Sequence, residues 1–297
     1  MPHQLTREPL IEAISAFLAG RDRSTLNAFR SLLEREIDKA GPSALAALGH
    51  RLTTAGSDWD YYPRDPLAQR LHHVLADRIL LTDSALRGGQ HATAIAGRPT
   101  VIFANHLSYA DANMVEILLS RSGQHTLAEG LTVIAGPKVY SSLKRRFSSL
   151  CFGTIKTPQS SGLSTGDAVM NPREVARAAR KSIDIAHERL RMGDALLVFA
   201  EGTRSRSGGM QQMLTAVTRY LDVAGACVLP VGITGTEALF PIDDDTVHPV
   251  TVTVSIGAPL DASALRDQAK GDRHQMIDLV GRAIAEQLPP SYQGVYG

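Results

Sequence analysis

Two stretches carry residues whose types and spacing could do chemistry. The first is Thr100-Val101-Ile102-Phe103-Ala104-Asn105-His106-Leu107-Ser108-Tyr109-Ala110-Asp111. It is an apolar, β-like run that breaks at a polar pair and then enters a helical pattern through Asn113, Val115, Ile117, Leu118 and Leu119. The pattern predicts His106 at the end of a buried strand and Asp111 in the first turn of the next helix. If the loop between them folds back, the Asp111 carboxylate accepts a hydrogen bond from one ring nitrogen and leaves the other free as a base. A His ending a strand and an Asp near a helix N-terminus also serve stability alone, so the pair by itself leaves both readings open. The second stretch is the apolar run from Ala195 to Ala200, which opens into Glu201-Gly202-Thr203-Arg204-Ser205-Arg206. Gly202 lets backbone approach a ligand without a Cβ in the way. Arg204 can grip a phosphate through two parallel N–H donors.

The elements that must position these residues alternate in type. Strand candidates fall at 101–104, 131–135, 152–155, 196–199, 228–233 and 250–256, and helical patterns separate most of them. A long helix over 172–192 is capped by Asn171, and a final one over 272–288 is expected to pack back on the same domain. Alternating strands and helices predict an α/β layered domain. Ahead of it, residues 9–55 read as three helices. Leu10, Ile11, Ile14, Phe17 and Leu18 form the first stripe, Ser24 or Thr25 caps the second helix, and Gly41-Pro42 separates the second from the third. These stripes predict a small helical bundle rather than a helix lying on a membrane, because the polar face of the first one lacks the usual Lys and Arg. A punctuated linker over 57–66 leads to a helix over 67–81 bearing His72 and His73. Neighbours on a helix point about 100° apart, so these two cannot chelate one ion together. The expected division is a helical domain at 1–85 and an α/β domain at 86–297.

Composition narrows the function. A chain of 297 residues, 43% hydrophobic, with a net charge of +1, is large enough for one α/β core plus an accessory domain and is unlike a polyanion-binding protein. Nucleic acid is therefore not an expected partner, and anion recognition must come from local clusters. One such cluster runs from Gly130 to Gly166, with Lys138, Lys144, Arg145, Arg146 and Lys156 and no acidic residue. Cys151 and Cys227 have no metal or redox spacing, which favours a reduced, cytoplasmic setting. No secretory signal is expected, since Glu8 and Glu12 interrupt the first twenty residues. No window approaches the ~18–20 apolar residues of a spanning helix.

Asn105-His106 followed by Asp111, with the Glu201-Gly202-Thr203-Arg204-Ser205 block about ninety residues on, resembles the PlsC-type glycerolipid acyltransferase family. Leu229-Pro230-Val231-Gly232-Ile233 looks like that family's late Pro-containing strand, and Phe152-Gly153-Thr154-Ile155-Lys156 falls where its glycerol-phosphate block belongs. The resemblance spans roughly Leu86 to Leu260. It implies a mixed sheet flanked by helices and a role in phospholipid biosynthesis. The implied reaction moves a fatty acyl group from acyl-CoA or acyl carrier protein to the hydroxyl of a phosphate-bearing glycerol. Glycerol-3-phosphate is the first acceptor expected and 1-acylglycerol-3-phosphate (lysophosphatidate) the alternative. His106 and Asp111 stand at the catalytic positions, while Asn105, Lys138, Lys156, Glu201, Gly202, Thr203, Arg204 and Arg206 fall at substrate-binding ones. The thioester is already activated, so neither an enzyme nucleophile nor a metal or other cofactor is implied. The wording from Ala135 to Lys156, and an arginine two residues after the first, look like the soluble plastid-type glycerol-3-phosphate acyltransferases. Two departures stand out: Ala200 replaces the usual Pro, and the block at 152–156 lacks Phe-Ile-x-Arg, which leaves the role of Lys156 open. Contact with anionic membranes, at the inner face, is expected to be weak and salt-sensitive.

Two further motifs compete. Gly162-Leu163-Ser164-Thr165-Gly166 fits the G-x-S-x-G of a serine hydrolase, with Asp245 and His248 following in a permissible order. The preceding Lys156–Ser161 is no buried strand, however, and Asn171-Pro172 delays the helix that a nucleophile elbow requires. A serine esterase using Ser164 is thus the reading from another enzyme class, and a non-catalytic lipid-binding protein is the third. Ser141-Ser142-Leu143-Lys144 spells S-x-x-K without its companion motifs.

Overall fold

Apolar, β-branched runs set the centre of the molecule. The computed structural model describes residues 7–158, 170–241 and 247–297. The Gly162–Gly166 motif with Ser164, and Asp245, lie outside the described residues. Among the described residues nine strands form one sheet: β1 (Tyr61–Tyr62), β2 (Ala85–Arg87), β3 (Thr100–Ala104), β4 (Leu131–Ala135), β5 (Gly153–Lys156), β6 (Ala195–Phe199), β7 (Cys227–Thr234), β8 (Thr253–Ile256) and β9 (Leu260–Asp261). Their order is β1-β5-β4-β6-β3-β7-β8-β2, with β9 also on β7. The central pairs β5-β4, β4-β6, β6-β3 and β3-β7 are parallel, whereas β1-β5, β7-β8 and β7-β9 are antiparallel. The sheet is therefore mixed, as the resemblance implies. All five residues of β3 are buried, which is why this strand reads as a continuous apolar run: helices cover both of its faces.

The strand alternation sorts side chains to two cores. Val101 and Phe103 of β3 pack with Ala186 and Leu190 of the helix Pro172–Arg191 and with Met276, Ile277 and Val280 of the helix Arg273–Ala285. Ile102 and Ala104 share the opposite core with Leu10, Phe29, Leu48 and Leu71, one from each of the helices Arg7–Ser15, Arg23–Ala40, Pro42–Thr54 and Pro66–Ile79. The N-terminal helices thus bury their apolar stripes against one another and the sheet in a single cluster. Among the described residues, no helix is long and apolar enough to cross a membrane.

Three local expectations change. The linker contributes β1, because Tyr61 and Tyr62 pair with Ile155 and Thr154 at the sheet edge. The second helix is capped by Asp22, whose carboxylate accepts the Thr25 N–H at 3.0 Å, rather than by Ser24 or Thr25. The last long strand starts at Thr253, while Val250 makes an isolated bridge to Leu80.

The 66–79 helix also meets the helix Asp111–Arg121 through buried polar groups. Glu116 is fully buried and accepts from Gln69 Nε2 at 2.7 Å and His73 Nε2 at 3.1 Å. His72 is buried, with Nε2 3.3 Å from the Asn113 carbonyl. Burial pushes its imidazole down to about 4, against the pull of nearby Glu116. Because the folded value lies below the ordinary 6.5, the unfolded chain takes up this proton first. The stability present above pH 6.5 is lost as pH falls toward 4, by about 3 kcal/mol over the whole window. His72→Gln should therefore show a smaller drop in unfolding free energy than the wild-type chain between pH 7 and pH 4.5, measured by urea titration. Parallel losses in both proteins would contradict this role.

Candidate active site

β3 and β6 are parallel neighbours in register, Ala104 opposite Phe199. The loops leaving their C-terminal ends emerge side by side, where open α/β sheets offer their ligand sites. This brings residues 95 positions apart into contact: the buried Glu201 carboxylate accepts the His106 backbone N–H through Oε1 at 2.8 Å. Its Oε2 accepts the Gln211 N–H at 2.8 Å. Burial raises the Glu201 carboxyl above its usual range, while those two backbone N–H groups pull it back. The Ser205 N–H donates to the His106 carbonyl at 2.7 Å, closing the link between the two loops.

Asp111, fully buried at the first position of its helix, gathers three donors on one oxygen. Its Oδ2 accepts His106 Nδ1–H at 2.8 Å, Leu107 N–H at 2.7 Å and Ser108 N–H at 3.0 Å. The two backbone bonds hold the carboxylate still, and the carboxylate fixes the ring tautomer. Nε2 is left as the basic nitrogen. The ring also stacks on Phe199, centroids 4.3 Å apart and planes 18° from parallel. The foldback loop expected between His106 and Asp111 is therefore present.

His106 opens on a cavity of about 410 Å³. Ser108, Tyr109, Lys138, Thr203 and Arg204 line it together with Val133 and Phe152 from one apolar cluster and Ile183 and Val198 from the other. Gly202 also lines it, with φ +71°, a left-handed conformation that a side chain would strain. Arg204 Cζ lies 3.9 Å from the centroid of the Tyr109 ring, and Arg145 Cζ lies 4.4 Å from the same ring.

The other candidates divide. Asn105 commits both ends of its amide to β7, donating to the Ile233 carbonyl at 2.9 Å and accepting the Ile233 N–H at 2.7 Å. Lys156 turns toward the N-terminal segment, donating to the Gly56 carbonyl at 2.6 Å with its ammonium 4.5 Å from the Trp59 ring centroid. Arg206 is exposed. Sequence reasoning assigned no role to Phe199 or Tyr109, and to Arg145 only a share in the anion-attracting basic stretch. Phe199 directly precedes Ala200 and Glu201, and Arg145 lies in the one-sign basic stretch, so both carried a signal.

A histidine oriented by a buried carboxylate, with a guanidinium lining the same cavity, can take a proton from a hydroxyl whose anionic end the guanidinium holds. A family model described as Acyltransferase matches residues 85–234, half of the chain. The chain belongs to this acyltransferase family. Both loops of the site fall within the matched acyltransferase segment. A 1-acyl-sn-glycerol-3-phosphate acyltransferase of Chlamydomonas reinhardtii is 28% identical to this acyltransferase-family chain over 131 residues. The aligned part is 44% of this chain and 37% of that protein, so the chain spans little more than a third of the relative's length. The crystal structure of the 1-acyl-sn-glycerophosphate (LPA) acyltransferase PlsC from Thermotoga maritima superposes with a TM-score of 0.48 and 19% identity. It covers 94% of this chain and 87% of that one.

Proposed function

We propose that this chain transfers a fatty acyl group from an acyl thioester, acyl-CoA or acyl carrier protein, to the free hydroxyl of a glycerophosphate, with 1-acylglycerol-3-phosphate as its acceptor. The observation that carries the reading is the 2.8 Å contact of His106 with buried Asp111 at a cavity that Arg204 also lines. The acceptor choice is supported by the name of the Chlamydomonas reinhardtii relative, which acts on 1-acyl-sn-glycerol-3-phosphate. Glycerol-3-phosphate, the acceptor expected first from sequence, shares the same phosphate and hydroxyl.

In the proposed reaction His106 Nε2 takes the hydroxyl proton as the oxygen attacks the thioester carbonyl. The tetrahedral intermediate expels the thiolate, which recovers the proton from the imidazolium, so the products are an ester and a free thiol. Asp111 stabilises the imidazolium formed between those steps. A screen with one acyl thioester against glycerol-3-phosphate, 1-acylglycerol-3-phosphate and a simple ester substrate tests the assignment. Thiol release that depends on either glycerophosphate supports acyl transfer. Ester hydrolysis with no acceptor dependence would instead favour the esterase reading.

Arg204 is remote from the reacting hydroxyl if it holds the phosphate, so it contributes binding equally to ground and transition states. Arg204→Ala should raise the acceptor KM by roughly 10- to 100-fold, the equivalent of one charge-assisted hydrogen bond, and leave the donor KM nearly unchanged. Arg206→Ala, at an exposed position, should do much less. Equal damage to both substrates' KM would point to a folding defect instead.

A further inference from the structure

A second cavity of about 380 Å³ lies against the first, with Tyr109, Asn113, Val139 and Ser148 as the shared wall. Its lining is apolar where the N-terminal helices meet the 111–121 helix, through Phe17, Leu75, Ile79, Met114, Phe147 and Phe240. Two cations stand in the same lining, Lys144 and Arg145, and among the described residues no carboxylate does. Lys144 Nζ lies 5.5 Å from the Phe17 ring centroid. Arg145 sits against the Tyr109 ring at the boundary, the same ring that Arg204 covers from the first cavity. This is an apolar slot whose cationic end, at Arg145 and Tyr109, adjoins the cavity that His106 lines.

We infer that the second cavity holds the acyl chain already present on the acceptor, with the acceptor's phosphate between Arg145 and Arg204. The inference rests on the glycerophosphate acyltransferase reading and adds to it a separate seat for each chain. The donor chain has its own apolar channel in the first cavity, which contains His106 itself. A ligand for the second cavity must combine one apolar tail with an anionic head near Tyr109, and a lysophospholipid has that chemistry. Glycerol-3-phosphate would use the cationic end and leave the apolar slot unfilled. Arg145 then becomes a specificity-determining residue, and the N-terminal helices become part of the substrate site.

The test uses the full chain and a 1-acylglycerol-3-phosphate carrying a diazirine at the end of its palmitoyl chain. Photolysis should label peptides containing Leu75, Ile79 or Phe240. In parallel, Leu75→Trp, which narrows the slot, should lower kcat/KM for 1-palmitoyl-glycerol-3-phosphate relative to the 1-hexanoyl analogue, by roughly fourfold for each methylene no longer buried. Its preference among donor chain lengths should be unchanged. Labelling of peptides at 133–135 or 179–183, or no labelling, would overturn the inference, as would a change in donor-chain preference. If Leu75→Trp does not fold, the photolabelling of the unaltered chain still decides. Normal acylation of glycerol-3-phosphate without labelling sinks this inference alone. Labelling in the slot without acyl transfer to any acceptor sinks the enzymatic reading and leaves the lysophospholipid site standing.

Discussion

His106→Ala lowers turnover by roughly 10²- to 10⁴-fold, the range of a lost general base, and leaves the fold intact. The fold survives because the residue's structural bonds are made by its backbone: the N–H donates to Glu201 and the carbonyl accepts from Ser205. Removing the ring leaves Asp111 Oδ2 with its two backbone donors from Leu107 and Ser108, so no buried charge is stranded without partners. Thiol release from the donor measures kcat, and the melting temperature checks the fold. Ser164→Ala should change kcat little. A variant lacking His106 that keeps near-normal turnover, while Ser164→Ala is inactive, would transfer the chemistry to the serine.

Asp111→Asn should be nearly as damaging, on the order of 10³- to 10⁴-fold, for a different reason. The amide oxygen can still accept the Leu107 and Ser108 N–H groups, so the loop keeps its shape. What disappears is the negative charge that fixes the Nδ1–H tautomer and stabilises the imidazolium. Asp111→Ala removes the acceptor as well and leaves two buried N–H groups unpaired, at about 1–3 kcal/mol each. The pair of variants therefore separates catalysis from stability: Asn should be inactive with near-normal urea unfolding, whereas Ala should be inactive and several kcal/mol less stable. An Asn variant that keeps a tenth of the activity would argue that the carboxylate only holds the loop.

The legible parts of this molecule are those where one stretch of chain carries its own signal. Thr100–Ala104 and Ala195–Phe199 read as strands because both of their faces are covered, and His106 and Glu201 stood out because each interrupts such a run. Asn171 ahead of Pro172 read as a helix cap, and it caps the helix, with Glu174 closing a capping box that the sequence reading had not used. Direction was harder to read than position. Lys156 occupies the place along the chain expected of a phosphate ligand, yet its N–H pairs with Asp60 and its side chain follows that edge toward Gly56 and Trp59. The pairing that turns it depends on Tyr61–Tyr62, a strand of two residues that is too short for any periodicity. Arg145 and Arg204 share Tyr109 only through the tertiary fold, and no spacing in the chain encodes that meeting.

The clamp between Asn105 and Ile233 has a consequence for synthesis. Both parallel neighbours of β3, β6 and β7, come after it in the chain, and the Asn105 amide waits for a partner 128 residues further on. At about 5–20 residues per second, roughly 6–26 s pass between the emergence of the two. Until β6 emerges the nascent chain carries an apolar strand with both edges unpaired, and until β7 arrives one edge stays open, a template for pairing with other chains. The stability of the finished protein offers residues 100–104 no protection in that interval.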